Sequence, residues 1–323
     1  MPRYDENDPE SYERPRRRTR PRSKERPTYD DAVEATVVTV DRGRFTCLTD
    51  DEVVVTAMKS RPLGRKGVVV GDRVALVGDT TGADGSLARI VTIADRSTVL
   101  RRTADDDDPV ERVIVANADQ LVIVTALAEP EPRPRLIDRA LVAAYDAGME
   151  PLLVLTKSDL AAPDDLVASY APLDVAVEVT RRGADVTPIL RRLEGRTSVL
   201  LGHSGVGKST LVNALVPDAA RETGGVNQVT GRGRHTSTSA LMLHLPGGGW
   251  IVDTPGIRSF GLAHIDVNHL IGAFPELYDL TLDCPRGCTH AEGAPECGLD
   301  EAPPDLVPRV ASFRRLLASR EGT

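Results

Sequence analysis

The chain has 323 residues, 41% hydrophobic and 27% charged, with a formal net charge of −8. That composition fits a folded, water-soluble protein of roughly two or three domains, and no apolar run, Leu121–Val124 included, approaches the length needed to cross a bilayer. The acidic total excludes a uniformly basic coat but leaves room for a local basic patch, and the Arg/Pro-rich start lacks the apolar core of a secretory signal, so a cytoplasmic protein with no membrane partner is expected.

Residues 1–31 mix Arg, Pro, Asp and Glu with almost no aliphatic side chains, as in SYERPRRRTRPRSKERP. Such a segment cannot bury enough surface to offset its ordering entropy, and a disordered charged tail is expected, either solubilising or touching RNA. From 32 to 95 the text changes to short alternating stretches, VEATVVTV, RFTCL, EVVVTAM, DRVALV and LARIVTIA, separated by Gly- and Asp-containing turns. Five such strands predict a small closed β-barrel. The pattern does not separate an oligonucleotide-binding barrel from an SH3-like one, nor an RNA-binding module from a spacer or docking module. Cys47 falls within a strand and reads as a small core residue.

After the polar run RRTADDDDP the period changes again. DQLVIVTAL reads as a buried strand, RPRLIDRALVAAYDAG as an amphipathic helix ended by Gly148, and MEPLLVLTKSD as another buried strand. LDVAVEVT, VTPILRRLEG, TSVLLG and a helix opening at Lys208 continue the alternation, which predicts a parallel α/β sheet over 96–264. Residues 265–323 hold a Cys/Pro-rich section and a short terminal helix, PRVASFRRLLASR.

The strongest motif is Gly202-His203-Ser204-Gly205-Val206-Gly207-Lys208-Ser209-Thr210, which satisfies G-x4-G-K-[ST] between a predicted strand and a predicted helix. Glycines let backbone N–H groups curl around a β-phosphate, and the helix N-terminus favours its negative charge. In this pattern Lys208 reaches the β- and γ-phosphates and Ser209 ligates Mg²⁺. Downstream, a strand ends in Asp253-Thr254-Pro255-Gly256, a D-x-x-G in which the Asp backs the Mg²⁺ through a water and the Gly256 amide senses the γ-phosphate. Between them TGRGRHTSTSA, 230–240, stands at the position of a first switch, where Thr236 or Thr238 can close onto Mg²⁺. Ile257 follows Gly256 and cannot orient a water, so His235 is the candidate for that task and His203 a weaker one.

A second constellation precedes the phosphate loop: Thr156-Lys157-Ser158-Asp159 at the end of a strand. An Asp here accepts from guanine N1–H and the 2-amino group, which adenine does not offer, while the Lys stem lies along the base. EVT at 178–180 stands where a loop would meet the guanine O6. Thr156 occupies the first position, where Asn is usual; it keeps a hydrogen-bonding hydroxyl but lacks the paired donor and acceptor of an amide. The order is therefore base motif, base loop, phosphate loop, first switch, second switch, an order a parallel sheet tolerates because each βα unit packs on the same core. Finally, Cys284-x3-Cys288-x-His290-x6-Cys297 makes a Cys3His set, the ligand chemistry of one structural Zn²⁺.

A small barrel, a Lys-x-Asp motif ahead of GHSGVGKST, then GRHTST, DTPGIRSFGL and a Cys/Cys/His/Cys module resembles the bacterial ribosome small subunit-dependent GTPase A family over roughly residues 33–320. RSTVLRR at 96–102 and ANADQLVIV at 116–124 resemble the start of that family's permuted domain. The resemblance implies an oligonucleotide-binding-fold barrel, a circularly permuted P-loop GTPase domain and a zinc module docking together on the 30S subunit and its 16S rRNA. It further implies late small-subunit maturation, with GTP hydrolysis to GDP stimulated by the subunit and followed by release, and a monomeric protein is expected. Ile257 and His235 match the family's hydrophobic residue in place of the catalytic Gln and its first-switch His. The zinc spacing differs by one residue in the first and last gaps. Two other readings stand beside this one: a relaxed-specificity NTPase, prompted by Thr156, and an RNA-binding module in which nucleotide acts only as a conformational switch, prompted by Ile257.

Overall fold

The computed structural model describes residues 29–64, 67–103, 111–217, 240–254, 262 and 265–320, without the side chains of residues 102, 103, 111 and 320. Residues Ala32–Thr323 form one compact unit.

Five strands open it: β1 (Val33–Asp41), β2 (Arg44–Thr49), β3 (Val54–Lys59), β4 (Arg73–Gly78) and β5 (Ala88–Ile93). Along β2 the side chains alternate, Phe45, Cys47 and Thr49 inward and the residues between them outward, as a two-residue period demands. The strands close in the order β1-β2-β3-β5-β4-β1, every pairing antiparallel except the parallel β3–β5. That closure is the oligonucleotide-binding barrel, and it removes the SH3-like alternative. Ala35, Val37, Phe45, Val55, Leu76 and Ile90 fill the inside with Cys47. Burial pushes the Cys47 thiol up to about 12, so it packs as an inert small hydrophobe.

The barrel is strapped to the segment that leaves β5. Arg96 donates through Nε to Asp72 Oδ1 at 2.7 Å and through Nη2 to Asp72 Oδ2 at 2.9 Å. The Asp72 side chain has no exposed surface, and its Oδ2 also accepts from the Val69 N–H at 2.8 Å. Beyond lies a hairpin, β6 (Val99–Thr103) and β7 (Glu111–Ala116). Asn117, just past it, donates to the Gly71 carbonyl at 2.9 Å, and the Ala116 N–H donates to the Val70 carbonyl at 3.0 Å. Gly71 has φ +87°, and a Cβ there would lie 2.0 Å from the Ala116 carbonyl oxygen, so only glycine allows this approach.

The next strands are β8 (Gln120–Ala126), β9 (Glu150–Thr156), β10 (Ala176–Val179), β11 (Thr197–Leu201), β12 (Leu241–His244) and β13 (Trp250–Asp253), with helices α1 (Pro134–Asp146), α2 (Asp164–Tyr170), α3 (Thr187–Leu193) and α4 (Lys208–Leu215). Their order in the sheet is β10-β9-β8-β11-β13-β12, parallel except for the antiparallel β12–β13 pair. β8 is buried along its whole length because helices cover both faces. Leu121, Ile123, Leu153 and Leu155 face α1, whereas Val122, Val124, Leu152 and Val154 face α3 and α4. One residue pair, Thr39 with Leu241, joins β1 of the barrel to β12 and makes the whole an eleven-stranded sheet.

The chain leaves this sheet at the end of β13 and reaches α5 (Val267–Gly272), α6 (Pro275–Leu280) and α7 (Val307–Arg320), a terminal helix of 14 residues. These pack on the α1 face: Phe274 meets Tyr145 and Phe313 edge-on, with ring centroids 5.1 and 5.5 Å away. Three arginines of α7 fasten the module. Arg309 reaches the Pro172 carbonyl and Asp174, Arg315 reaches the buried Asp138 of α1 and lies over the Tyr170 ring, and Arg314 donates to the His290 carbonyl and Asp300. Burial holds the Asp138 carboxyl above its usual range, against the opposing pull of Arg315. No described helix is long and apolar enough to cross a membrane.

Candidate nucleotide and metal sites

The phosphate loop leaves β11 at Leu201 and enters α4 at Lys208, the strand–loop–helix setting the motif requires. Its glycines answer to local sterics. A Cβ on Gly202 would lie 2.7 Å from the Val124 carbonyl oxygen and 2.9 Å from a Val206 methyl carbon. Gly205 and Gly207 take φ +86° and +92°, and Gly207 immediately precedes the helix. Ser204, Gly205, Ser209 and Thr210 are open or partly open to solvent, whereas Val206 is buried and anchors the loop. The His203 Nδ1–H donates to the Ser204 carbonyl at 3.0 Å, which commits the ring to holding the loop.

Thr156 ends β9 directly beneath this loop. It is buried, and its hydroxyl donates to the Val206 carbonyl at 2.5 Å. Gly207 packs on the same side chain, its Cβ position 3.5 Å from Thr156 Oγ1. The next residue, Lys157, turns the chain with φ +59°, and its ammonium donates to the Glu129 carbonyl. Ser158 N–H donates to the Thr180 carbonyl at 3.2 Å and Thr180 N–H to the Leu155 carbonyl at 2.8 Å, so base motif and base loop are cross-tied. Asp159 presents an exposed carboxylate.

These pieces surround a cavity of about 400 Å³. Lys157 and Asp159 line it from the base motif, Gly205, Gly207 and Thr210 from the phosphate loop and its helix, and residues 180–184 from the base loop. A pocket at the carboxyl ends of parallel strands is where α/β sheets bind nucleotides. On the phosphate side, Lys208 and Asp253 form an ion pair, both side chains largely buried. Thr254 Oγ1 donates to the Leu200 carbonyl at 2.8 Å, fixing the end of β13 beside the loop. His235, Thr236, Thr238, Gly256 and Ile257 lie outside the described residues.

The second site sits between α6 and α7. The metal-binding atoms of Cys284, Cys288, His290 and Cys297 all lie within 4.8 Å of one another. His290 Nδ1 is 3.6 Å from Cys297 Sγ and 3.8 Å from Cys284 Sγ, and the Gly298 N–H donates to Cys284 Sγ at 3.2 Å. A Cβ on Gly298 would fall 1.9 Å from the Leu280 carbonyl oxygen, so that glycine is what lets the last ligand close on α6. Burial pushes the Cys297 thiol up to about 11, with the neighbouring Cys288 and Cys284 adding to the rise, whereas burial and then Arg314 lower the His290 pKa. Three converging sulfurs and one neutral imidazole, with His290 and Cys297 buried and Cys284 and Cys288 half-buried, fit a tetrahedral soft metal ion such as Zn²⁺.

Two features escaped the sequence reading. The Thr156–Val206 bond joins residues 50 positions apart, and the approach of Pro130 to the phosphate loop, its Cδ 3.5 Å from the Cβ position of Gly205, has no motif behind it.

Known proteins are similar to this chain. The family model described as RsgA GTPase matches residues 93–263. The small ribosomal subunit biogenesis GTPase RsgA of Ectopseudomonas mendocina is 44% identical over 218 residues, 64% of this chain and 63% of that protein, so the match spans just under two thirds of that relative. The protein of the same name from Azotobacter vinelandii is 40% identical over 264 residues, 78% of this chain and 75% of its own length. Among solved structures, YjeQ from Thermotoga maritima superposes with a TM-score of 0.68 at 26% identity, covering 90% of this chain and 98% of that one. YloQ, described as a circularly permuted GTPase, has the same fold, with a TM-score of 0.63 at 21% identity over 93% and 99% of the two chains. The permuted motif order read from the sequence and the match across 93–263 have one common explanation: the chain belongs to the RsgA GTPase family.

Proposed function

We propose that this chain hydrolyses GTP to GDP in the cytoplasm during late maturation of the small ribosomal subunit, as a monomer that docks on the 30S particle and its 16S rRNA, is stimulated by it, and leaves after hydrolysis. The observation that carries the reading is the shared cavity: Thr156, Lys157 and Asp159 of the base motif and the phosphate loop, displaced in sequence, line one pocket at the carboxyl end of one sheet.

Asp159 recognises the guanine edge, and the Lys157 stem lies on the base. The loop amides and Lys208 hold the β- and γ-phosphates, so Lys208 exchanges its Asp253 partner for phosphate oxygens. Ser209 and Asp253 then face the Mg²⁺ that accompanies the nucleotide, Gly256 reports the γ-phosphate, Thr236 or Thr238 closes the first switch, and His235 orients the attacking water. Thr156 commits its hydroxyl to the Val206 carbonyl, which makes it a support of the phosphate loop. Asp159 is thereby left as the base-reading side chain, and this favours the guanine reading over a relaxed NTPase.

Cys284, Cys288, His290 and Cys297 hold one Zn²⁺, which supplies a structural cross-link and no open position for chemistry. The barrel offers an outward row of Arg44, Met58 and Arg89 on three adjacent strands, all exposed, which suits a nucleic-acid backbone with an apolar contact between two cations. We retain segments 1–31, 32–95, 96–264 and 265–323 as tail, barrel, permuted domain and zinc module. The test is the GTPase rate with and without purified 30S subunits. Subunit-dependent stimulation supports the proposal, and a rate that stays flat favours a nucleotide switch with incidental hydrolysis.

A further inference from the structure

The base loop carries two guanidinium groups that no described residue engages. β10 runs parallel to β9 with Val179 beside Leu155, so the chain leaving β10 at Thr180 runs alongside the base motif leaving β9 at Thr156. The two cross-ties at Thr180 pin this exit. The chain then turns back at once: the Ala184 N–H donates to the Arg181 carbonyl at 3.1 Å, and Gly183 takes φ +76° inside the turn. Arg181 and Arg182 thus project from a short, anchored turn, both exposed, and both line the cavity that holds Lys157 and Asp159.

Several other arginines have acidic partners. Arg192 is paired with Glu178, Arg196 with Glu150, Arg309 with Asp174, Arg314 with Asp300 and Arg315 with Asp138. Neither Arg181 nor Arg182 has a side-chain hydrogen bond or ion pair among the described residues. Negative phosphate charge already has its partners in the phosphate-loop amides and Lys208. A planar, weakly hydrated cation on the base side of a pocket has a different natural partner, the flat face of an aromatic ring.

We propose that the Arg181–Arg182 pair forms a cationic wall of the nucleobase pocket, with a guanidinium laid flat on the purine ring, so that these residues set affinity while Asp159 reads the base edge. The inference rests on the guanine-nucleotide reading above. A face contact does not depend on phosphate charge, and it requires a planar group where an ammonium will not serve.

The experiment is calorimetric titration of the full chain with GDP, at low and high KCl, for the parent, Arg181→Ala, Arg182→Ala, the double alanine variant and the double lysine variant. Both positions are exposed, so circular dichroism should show an unchanged fold. The double alanine variant is expected to bind GDP about tenfold more weakly, by the same factor at both salt concentrations, with no recovery in the double lysine variant. Unchanged affinity in the double alanine variant overturns the proposal. A loss that lysine restores, or that disappears at high salt, also overturns it, because it assigns the arginines to phosphate. A parent protein that binds no GDP removes the guanine-nucleotide reading itself, an outcome distinct from either.

Discussion

The Thr156 hydroxyl donates to the Val206 carbonyl at 2.5 Å, tying the strand that carries the base motif to the loop that carries the phosphate motif. An amide at this position would bring its donor and acceptor on separate atoms; the hydroxyl here has one proton and gives it to the loop. Thr156→Val keeps the shape and removes the donor, leaving a buried carbonyl unpaired at a cost of about 1–3 kcal/mol. GDP affinity measured by titration should fall by roughly tenfold and the melting temperature by about 2–8 °C, and Thr156→Ser should restore both. Full affinity in the valine variant would show that the loop holds its shape without this bond.

Hydrolysis needs a group to orient water, and Ile257 cannot supply it. His235→Ala is expected to abolish the subunit-stimulated GTPase rate, a loss on the order of 10²-fold or more, with nucleotide affinity nearly intact. Turnover that is unchanged in the presence of 30S subunits would remove His235 from the mechanism.

The Cys3His cluster predicts a zinc content near one per chain by elemental analysis, lost in Cys288→Ser. Because the ligands pack between α6 and α7 and Arg314 joins the His290 carbonyl to the terminal helix, metal loss should also loosen that helix. The expected readout is a lower melting temperature on chelation in the parent and no further drop in Cys288→Ser. A melting curve insensitive to chelator, in protein shown to have lost its zinc, would contradict a structural metal.

The range of each interaction decides how much of the fold and the site was legible in the sequence. The barrel strands showed through because their alternation is local, and the phosphate loop and TKSD because a tight turn around phosphate restricts residue type at fixed spacing. The β6–β7 hairpin did not, since the polar run RRTADDDDP, whose first three residues end β6, reads as a linker. β12 was missed for another reason: LMLH is four residues long and gains strand character only by pairing with β13 and with Thr39 of the barrel. The closure of the barrel, the Thr156–Val206 bond and the exposed arginine turn depend on partners far away in sequence, where no short-range pattern carries a signal.

Two glycines with nearly the same φ give a comparison of crowding. Gly71 and Gly85 have φ +87° and +83°, but a Cβ on Gly71 would strike the Ala116 carbonyl, whereas one on Gly85 meets nothing within 4 Å. Gly85→Ala should cost about 1 kcal/mol in denaturant unfolding, the cost of the left-handed backbone alone. Gly71→Ala should cost roughly 3 kcal/mol or more, because the strap between the barrel and the permuted domain must shift. Equal costs would mean that the strap yields freely.

The position of β13 in the chain bears on how the nucleotide state is read out. In the usual order, the segment after D-x-x-G runs back into its own sheet. Here β13 ends at Asp253, and the next described helix starts at Val267, ahead of the Cys3His cluster. In the proposed function the second switch begins at Asp253, so it stands on the covalent path between the sheet and that helix. The rearranged order thereby gives a γ-phosphate signal a route along the chain itself, beside any route through packing contacts.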